Sequence, residues 1–98
     1  MRKAVSRFRT DRASRYLQQM SKHFAHKTVV DYTETDAVVT FPGGSVARMA
    51  ARGDELAFAV EAPDAEGLTR GKGIIESHII RFAFREELKS LAWQDGVD

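Results

Sequence analysis

The spacing of apolar residues changes several times along the chain, and each change marks a new element. Over residues 3–9, Lys3, Val5, Arg7 and Arg9 alternate with Ala4, Ser6 and Phe8. Neither set is a clean apolar face, but Val5 and Phe8 are good strand formers, so a short edge strand is predicted. Ala13, Leu17, Met20 and Phe24 follow at steps of four, three and four. That stripe predicts a helix over residues 11–26, with Thr10 and Asp11 able to cap its first amides.

The period then shortens to two. Residues 28–33 and 37–41 are rich in valine, threonine and tyrosine, and Glu34-Thr35-Asp36 between them predicts a hairpin. Pro42-Gly43-Gly44 is the strongest turn signal in the chain, because proline fixes one dihedral and glycine accepts a positive φ. A strand over residues 45–51, a turn at Arg52-Gly53-Asp54 and a strand over residues 55–61 complete a four-stranded antiparallel meander. Leu56, Phe58 and Val60 fall on one face of its last strand and Ala57 and Ala59 on the other.

Pro63, Asp64 and Glu66 suit a helix N-terminus, and Leu68, Gly71, Ile75, Ile79 and Phe82 recur at helical spacing. Gly67, Gly71 and Gly73 weaken the first half, which is expected to be either mobile or closely packed. Leu88, Leu91 and Trp93 fit a final strand or an apolar tail over the core. The order β-α-β-β-β-β-α predicts an α+β fold in which two helices cover one face of a curved antiparallel sheet. That order resembles the TATA-binding-protein-like topology, a likeness of fold that implies no function.

Ninety-eight residues suit a single domain spanning residues 1–98. No apolar run approaches the ~20 residues of a membrane span, and the basic start lacks the apolar stretch of a secretory signal, so a cytoplasmic protein is expected. The absence of cysteine excludes disulfides, thiolate metal sites, iron-sulfur clusters and cysteine nucleophiles. Charge is unevenly placed. Residues 1–27 carry eight basic side chains against Asp11 alone, whereas residues 28–98 carry seven basic and thirteen acidic ones. Such a segment either attracts an acidic or phosphate-bearing partner or lies against the acidic remainder of the chain.

Candidate chemistry gathers on the first helix, where Tyr16, Gln19, His23 and His26 share a flank beside the apolar stripe. Two imidazoles at this spacing can supply part of a first-row metal site. His78 is the candidate third ligand, and Glu76, Glu86 and Glu87 lie close to it in sequence. The competing assignment makes His26 a helix-end cation, His23 a boundary residue and His78 a core residue. No H-E-x-x-H or G-x-S-x-G motif is present, and Gly43-Gly44 lacks the Gly-Lys-Ser/Thr ending of a phosphate loop. For nucleic acid, Arg2, Arg7, Arg9, Arg12 and Arg15 with Phe8 are the contact candidates, without a recognised reading motif. Tyr32, Phe41 and Phe58 suit the core better than a stacking platform.

Arg15-Tyr16-Leu17 with His23 and His26, Phe41-Pro42-Gly43-Gly44, and the run from His78 to Glu86 (HIIRFAFRE) together resemble a bacterial family of small domains of unknown function. The resemblance spans nearly the whole chain. It implies an association with siderophore-interacting ferric reductases, and hence with iron or siderophore handling, but carries no established activity or residue roles. Arg81 and Arg85, four apart, could pair with an anionic ligand. The expected function is a non-enzymatic accessory or binding domain, with Tyr16, His23, His26, His78 and Arg81 nearest the ligand. His23, His26 and His78 are the candidate ligands for iron, zinc or heme. The alternatives are a metal-dependent or heme-handling enzyme, and an interaction module using the basic N-terminal segment. A small ligand or a partner protein is expected, rather than nucleic acid or a membrane. An exposed strand at residues 3–9 would also suit a homodimer.

Overall fold

The computed structural model describes residues 1–96, so the last two positions of the expected 1–98 span lie outside the described residues. The chain runs β1 (Arg2–Arg9), α1 (Ala13–Phe24), β2 (Val29–Tyr32), β3 (Asp36–Thr40), β4 (Val46–Arg52), β5 (Glu55–Ala62), α2 (Ala65–Phe82), a 3-10 turn (Phe84–Glu86) and β6 (Gln94–Asp95). The six strands form one antiparallel sheet in the order β2-β3-β4-β5-β1-β6. The fold is α+β, as the change of period predicts. α1 lies over β3 and β4 and α2 over β5 and β1.

Alternation assigns the two faces of the sheet. In β5, Leu56, Phe58, Val60 and Ala62 are buried beneath the helices while Glu55, Ala57, Ala59 and Glu61 look to the open side. α1 seals the core with Ala13, Tyr16, Leu17, Met20 and Phe24, and α2 with Leu68, Ile75 and Ile79. Phe41 and Phe58 are core residues and Tyr32 packs against the core from its margin.

The structure sharpens three expectations. β1 is an eight-residue strand second from the sheet margin, because it pairs along its length with β5 and, at Ala4 and Val5, with β6. β6 therefore covers the outer edge of β1 at Ala4 and Val5. α1 is two residues shorter than predicted at each end. Thr10 Oγ1 accepts the Arg12 amide at 3.1 Å and so turns the chain into the helix. At the far end Ala25 caps the helix, leaving His26 in the following turn. The C-terminal segment is both tail and strand. Leu91 is buried, Leu88 and Trp93 pack against the core, and only Gln94 and Asp95 pair as β6.

α2 begins at Asp64, whose carboxylate accepts the Gly67 amide at 2.8 Å. Its glycines serve close packing. A Cβ at Gly71 would stand 2.7 Å from Val60 Cγ1, so only glycine lets the helix sit this near β5. Gly73 faces open space. No helix among the described residues is long and apolar enough to cross a membrane.

Gly71→Ala is expected to lose about 1–3 kcal/mol through overpacking. Gly73→Ala should gain up to about 1 kcal/mol from helix propensity. Urea denaturation of the two variants checks the opposite signs.

Candidate functional site

α1 and α2 lie side by side, and their shared seam carries the uncommitted chemistry of the molecule. At one end the imidazoles of His23 and His78 meet with ring centroids 4.8 Å apart, flanked by Phe24, 4.8 Å from His78, and Phe82, 5.9 Å from His23. His78 Nδ1 lies 2.6 Å from the Ile74 carbonyl oxygen. A carbonyl only accepts, so Nδ1 carries the hydrogen and the neutral ring keeps its lone pair on Nε2. Phase explains the meeting: His23 is on the α2-facing flank of α1, and His78 lies one residue from the buried Ile79.

His26, beyond the helix end, is exposed. Among the described residues no group of three or more His, Cys, Asp or Glu side chains is placed to hold a metal ion. The neighbouring carboxylates are otherwise engaged. Glu76 accepts the Trp93 indole N–H at 2.9 Å, and Glu86 accepts the hydroxyls of Tyr16 and Thr10 at 2.5 and 2.9 Å. Glu87 ends the 3-10 turn in the left-handed region at φ 56°.

The other end of the seam is a cavity of about 220 Å³ lined by Arg12, Arg15, Tyr16, Gln19, Phe82, Phe84 and Arg85. Tyr16 is buried, its ring stacked on Phe8 at 6.2 Å. Burial, together with the hydrogen bond it donates to Glu86, holds its hydroxyl above the ordinary tyrosine value. Phe82, which also touches His23, joins the two ends. The volume is below the ~300–1,000 Å³ of pockets for drug-sized ligands, so it suits a small group rather than a porphyrin.

Electrostatics along the seam is positive. Desolvation, then the charges of His78, Lys27, Arg81 and His26, hold the His23 imidazole below its ordinary value. Arg12, Arg15, Arg81 and Arg85 form no ion pair with an acidic side chain among the described residues. Two basic residues of β1 differ: Arg7 pairs with Glu55 at 3.9 Å and Arg9 with Asp54 at 2.9 Å, so part of the basic segment does lie against the acidic remainder of the chain.

A larger hollow of about 770 Å³ lies on the open face of the sheet, opposite the helices. Strand register puts Val38, Arg48, Ala59, Val5 and Gln94 in one row across this face and Asp36, Ala50, Ala57 and Arg7 in the next. Small residues leave the hollow, but its rim charges are spent within the chain. Arg48 pairs with Glu61 at 3.9 Å, and Arg52 at 2.7 Å holds the Asp36 carboxyl below its usual range. Size favours the hollow, and free polar groups favour the seam. Specificity comes from the polar groups, so the seam is the candidate site.

The spacing of the sequence pointed to Tyr16, Gln19 and His23, but not to the union of Arg12 and Arg15 with Arg85. The available signal was the first turn of α1, which holds arginine and no acid.

A family profile described as "Uncharacterized protein conserved in bacteria (DUF2218)" matches residues 5–94. The NMR structure of PA4090 from Pseudomonas aeruginosa is similar at 30% identity, with a TM-score of 0.80 over 96% of this chain and 96% of that chain. None of the curated proteins compared with the chain matches it.

Because His23 is harder to protonate in the folded protein, the native state binds fewer protons than the unfolded chain just below the ordinary histidine value of about 6.5. Its part of the stability is present above that value and is lost as the pH falls towards the depressed native one. His23→Gln should flatten the fall in melting temperature between about pH 7 and pH 5 relative to the parent chain. Parallel melting curves check this, and equal slopes would contradict it.

Proposed function

The chain belongs to the bacterial family described as "Uncharacterized protein conserved in bacteria (DUF2218)", and on that premise we propose that it is an accessory binding domain whose ligand lies on the α1–α2 seam. We further propose that the link to iron or siderophore handling runs through His23 and His78, with Arg81 beside them. The observation that carries this reading is the 4.8 Å approach of the two imidazole rings. Imidazoles whose ring centroids approach this closely can each turn a nitrogen toward one metal at the usual distance of about 2.0–2.1 Å.

Two imidazoles do not complete a coordination sphere, and the positive charge of Lys27 and Arg81 opposes a bare cation. Both facts favour a metal that arrives inside an anionic chelate and keeps most of its own ligands. Binding is favoured over catalysis because the nearest carboxylates, Glu76 and Glu86, already serve the indole and hydroxyl donors. Neither carboxylate is free to orient one of the imidazoles as a general acid or base. His26 contributes charge to this site rather than a bond to the metal.

The probe is iron(II) nitrilotriacetate under anaerobic conditions, an anionic chelate that leaves two coordination positions open. Saturable binding, read by paramagnetic broadening of the His23 and His78 resonances, is expected to weaken at least about tenfold in His23→Ala and in His78→Ala. His26→Ala should bind as the parent does. Undiminished binding in either of the first two variants, or loss in the third, would overturn the assignment.

A further inference from the structure

We propose a second, independent subsite at the opposite end of the seam, in the cavity bounded by Arg12, Arg15, Gln19 and Arg85 with the rings of Phe82 and Phe84. Its ligand class is a small aromatic carboxylate. Nothing in this inference depends on the histidine pair binding iron.

Arg15 and Arg85 carry charges that the fold alone does not explain. Arg15 lies in the first turn of α1, which holds no acidic residue, and Arg12 stands at its N-cap beside Asp11. The amides of a helix start already carry positive partial charge, so cations here lower stability. Most exposed arginines on the sheet find carboxylates: Arg7, Arg9, Arg48 and Arg52 all do so. Arg12, Arg15 and Arg85 do not among the described residues, and the cavity gathers all three. One ligand anion would relieve the mutual repulsion that the empty arrangement retains.

Two observations narrow the anion. A guanidinium offers parallel N–H donors in one plane, which match the two coplanar oxygens of a carboxylate. Phe84 is 66% exposed, one of the few large apolar side chains left in water, and the Arg85 guanidinium lies 5.5 Å from its ring centroid. Phe82 supplies a second aromatic wall. Aromatic surfaces beside the cations favour a ligand with a flat apolar body and a charged end. A cavity of about 220 Å³ limits that body to something near a single ring.

Of the acids nearby, Asp11 and Glu86 both act on Arg12 through their charge, and Glu86 is held out of further competition. Glu86 accepts from Tyr16 and Thr10, so its carboxylate is occupied by two hydroxyls. The same contacts tie the turn that carries Phe84 and Arg85 to the start of α1.

Sodium benzoate is the test ligand, titrated into the ¹⁵N-labelled chain beside acetate, phosphate and chloride at matched ionic strength. The expected result is saturable shifts of the Arg15, Gln19, Phe84 and Arg85 amides with benzoate, and weaker binding of acetate and phosphate. Arg15→Gln and Arg85→Gln should weaken benzoate binding at least about tenfold while leaving the melting temperature unchanged or raised. His23→Ala should bind benzoate as the parent does, which separates failure here from failure of the iron reading. Shifts that never saturate, that chloride reproduces, or that phosphate produces at lower concentration would each overturn the proposal.

Discussion

The Glu86 carboxylate fixes the geometry on which the seam depends. It accepts from Thr10 at the end of β1 and from Tyr16 in the first part of α1, and it is itself carried by the turn that follows α2. Three parts of the chain, 76 residues apart in sequence at the extremes, are joined at one group. Since hydrogen bonds to an ionised acceptor are roughly twice as strong as neutral ones, this junction is worth more than its two contacts suggest. Without it, Arg85 and Phe84 would have no set position relative to Arg12 and Arg15.

The sheet and the seam divide the labour of stability and binding. On the sheet, charges are paired across strands, small residues line the hollow of the open face, and Gly71 lets α2 descend onto Val60. These features favour the folded state. On the seam, arginines crowd a helix start and an aromatic ring stays in water. Such features oppose the folded state, and local rules are broken in this way where a chain has a ligand to accommodate.

The elements were legible because each has a clean period: the stripe Ala13, Leu17, Met20, Phe24 in α1 and the alternation of Leu56, Phe58 and Val60 in β5. The meeting of His23 with His78 was legible as a condition, since both lie on helix flanks that face each other if the helices pack side by side. His26 falls just past the helix, which stops at Phe24, because helix ends depend on the next two or three residues rather than on the stripe. β6 was unreadable beforehand, as Gln94 and Asp95 have no strand propensity and pair only because Leu91 and Trp93 pack nearby and Lys72 binds Asp95 at 2.7 Å. The role of Glu86 was equally hidden, since sequence separation conceals which hydroxyls reach a carboxylate.

A double-mutant cycle on Tyr16→Phe and Glu86→Ala tests the junction most directly. Two groups that act through one partly buried hydrogen bond should show a coupling energy of about 1 kcal/mol or more in urea denaturation. The losses in the single variants would then exceed what the double variant adds. Additive losses would mean that Glu86 does not hold the seam together, and the account built on that junction would be wrong.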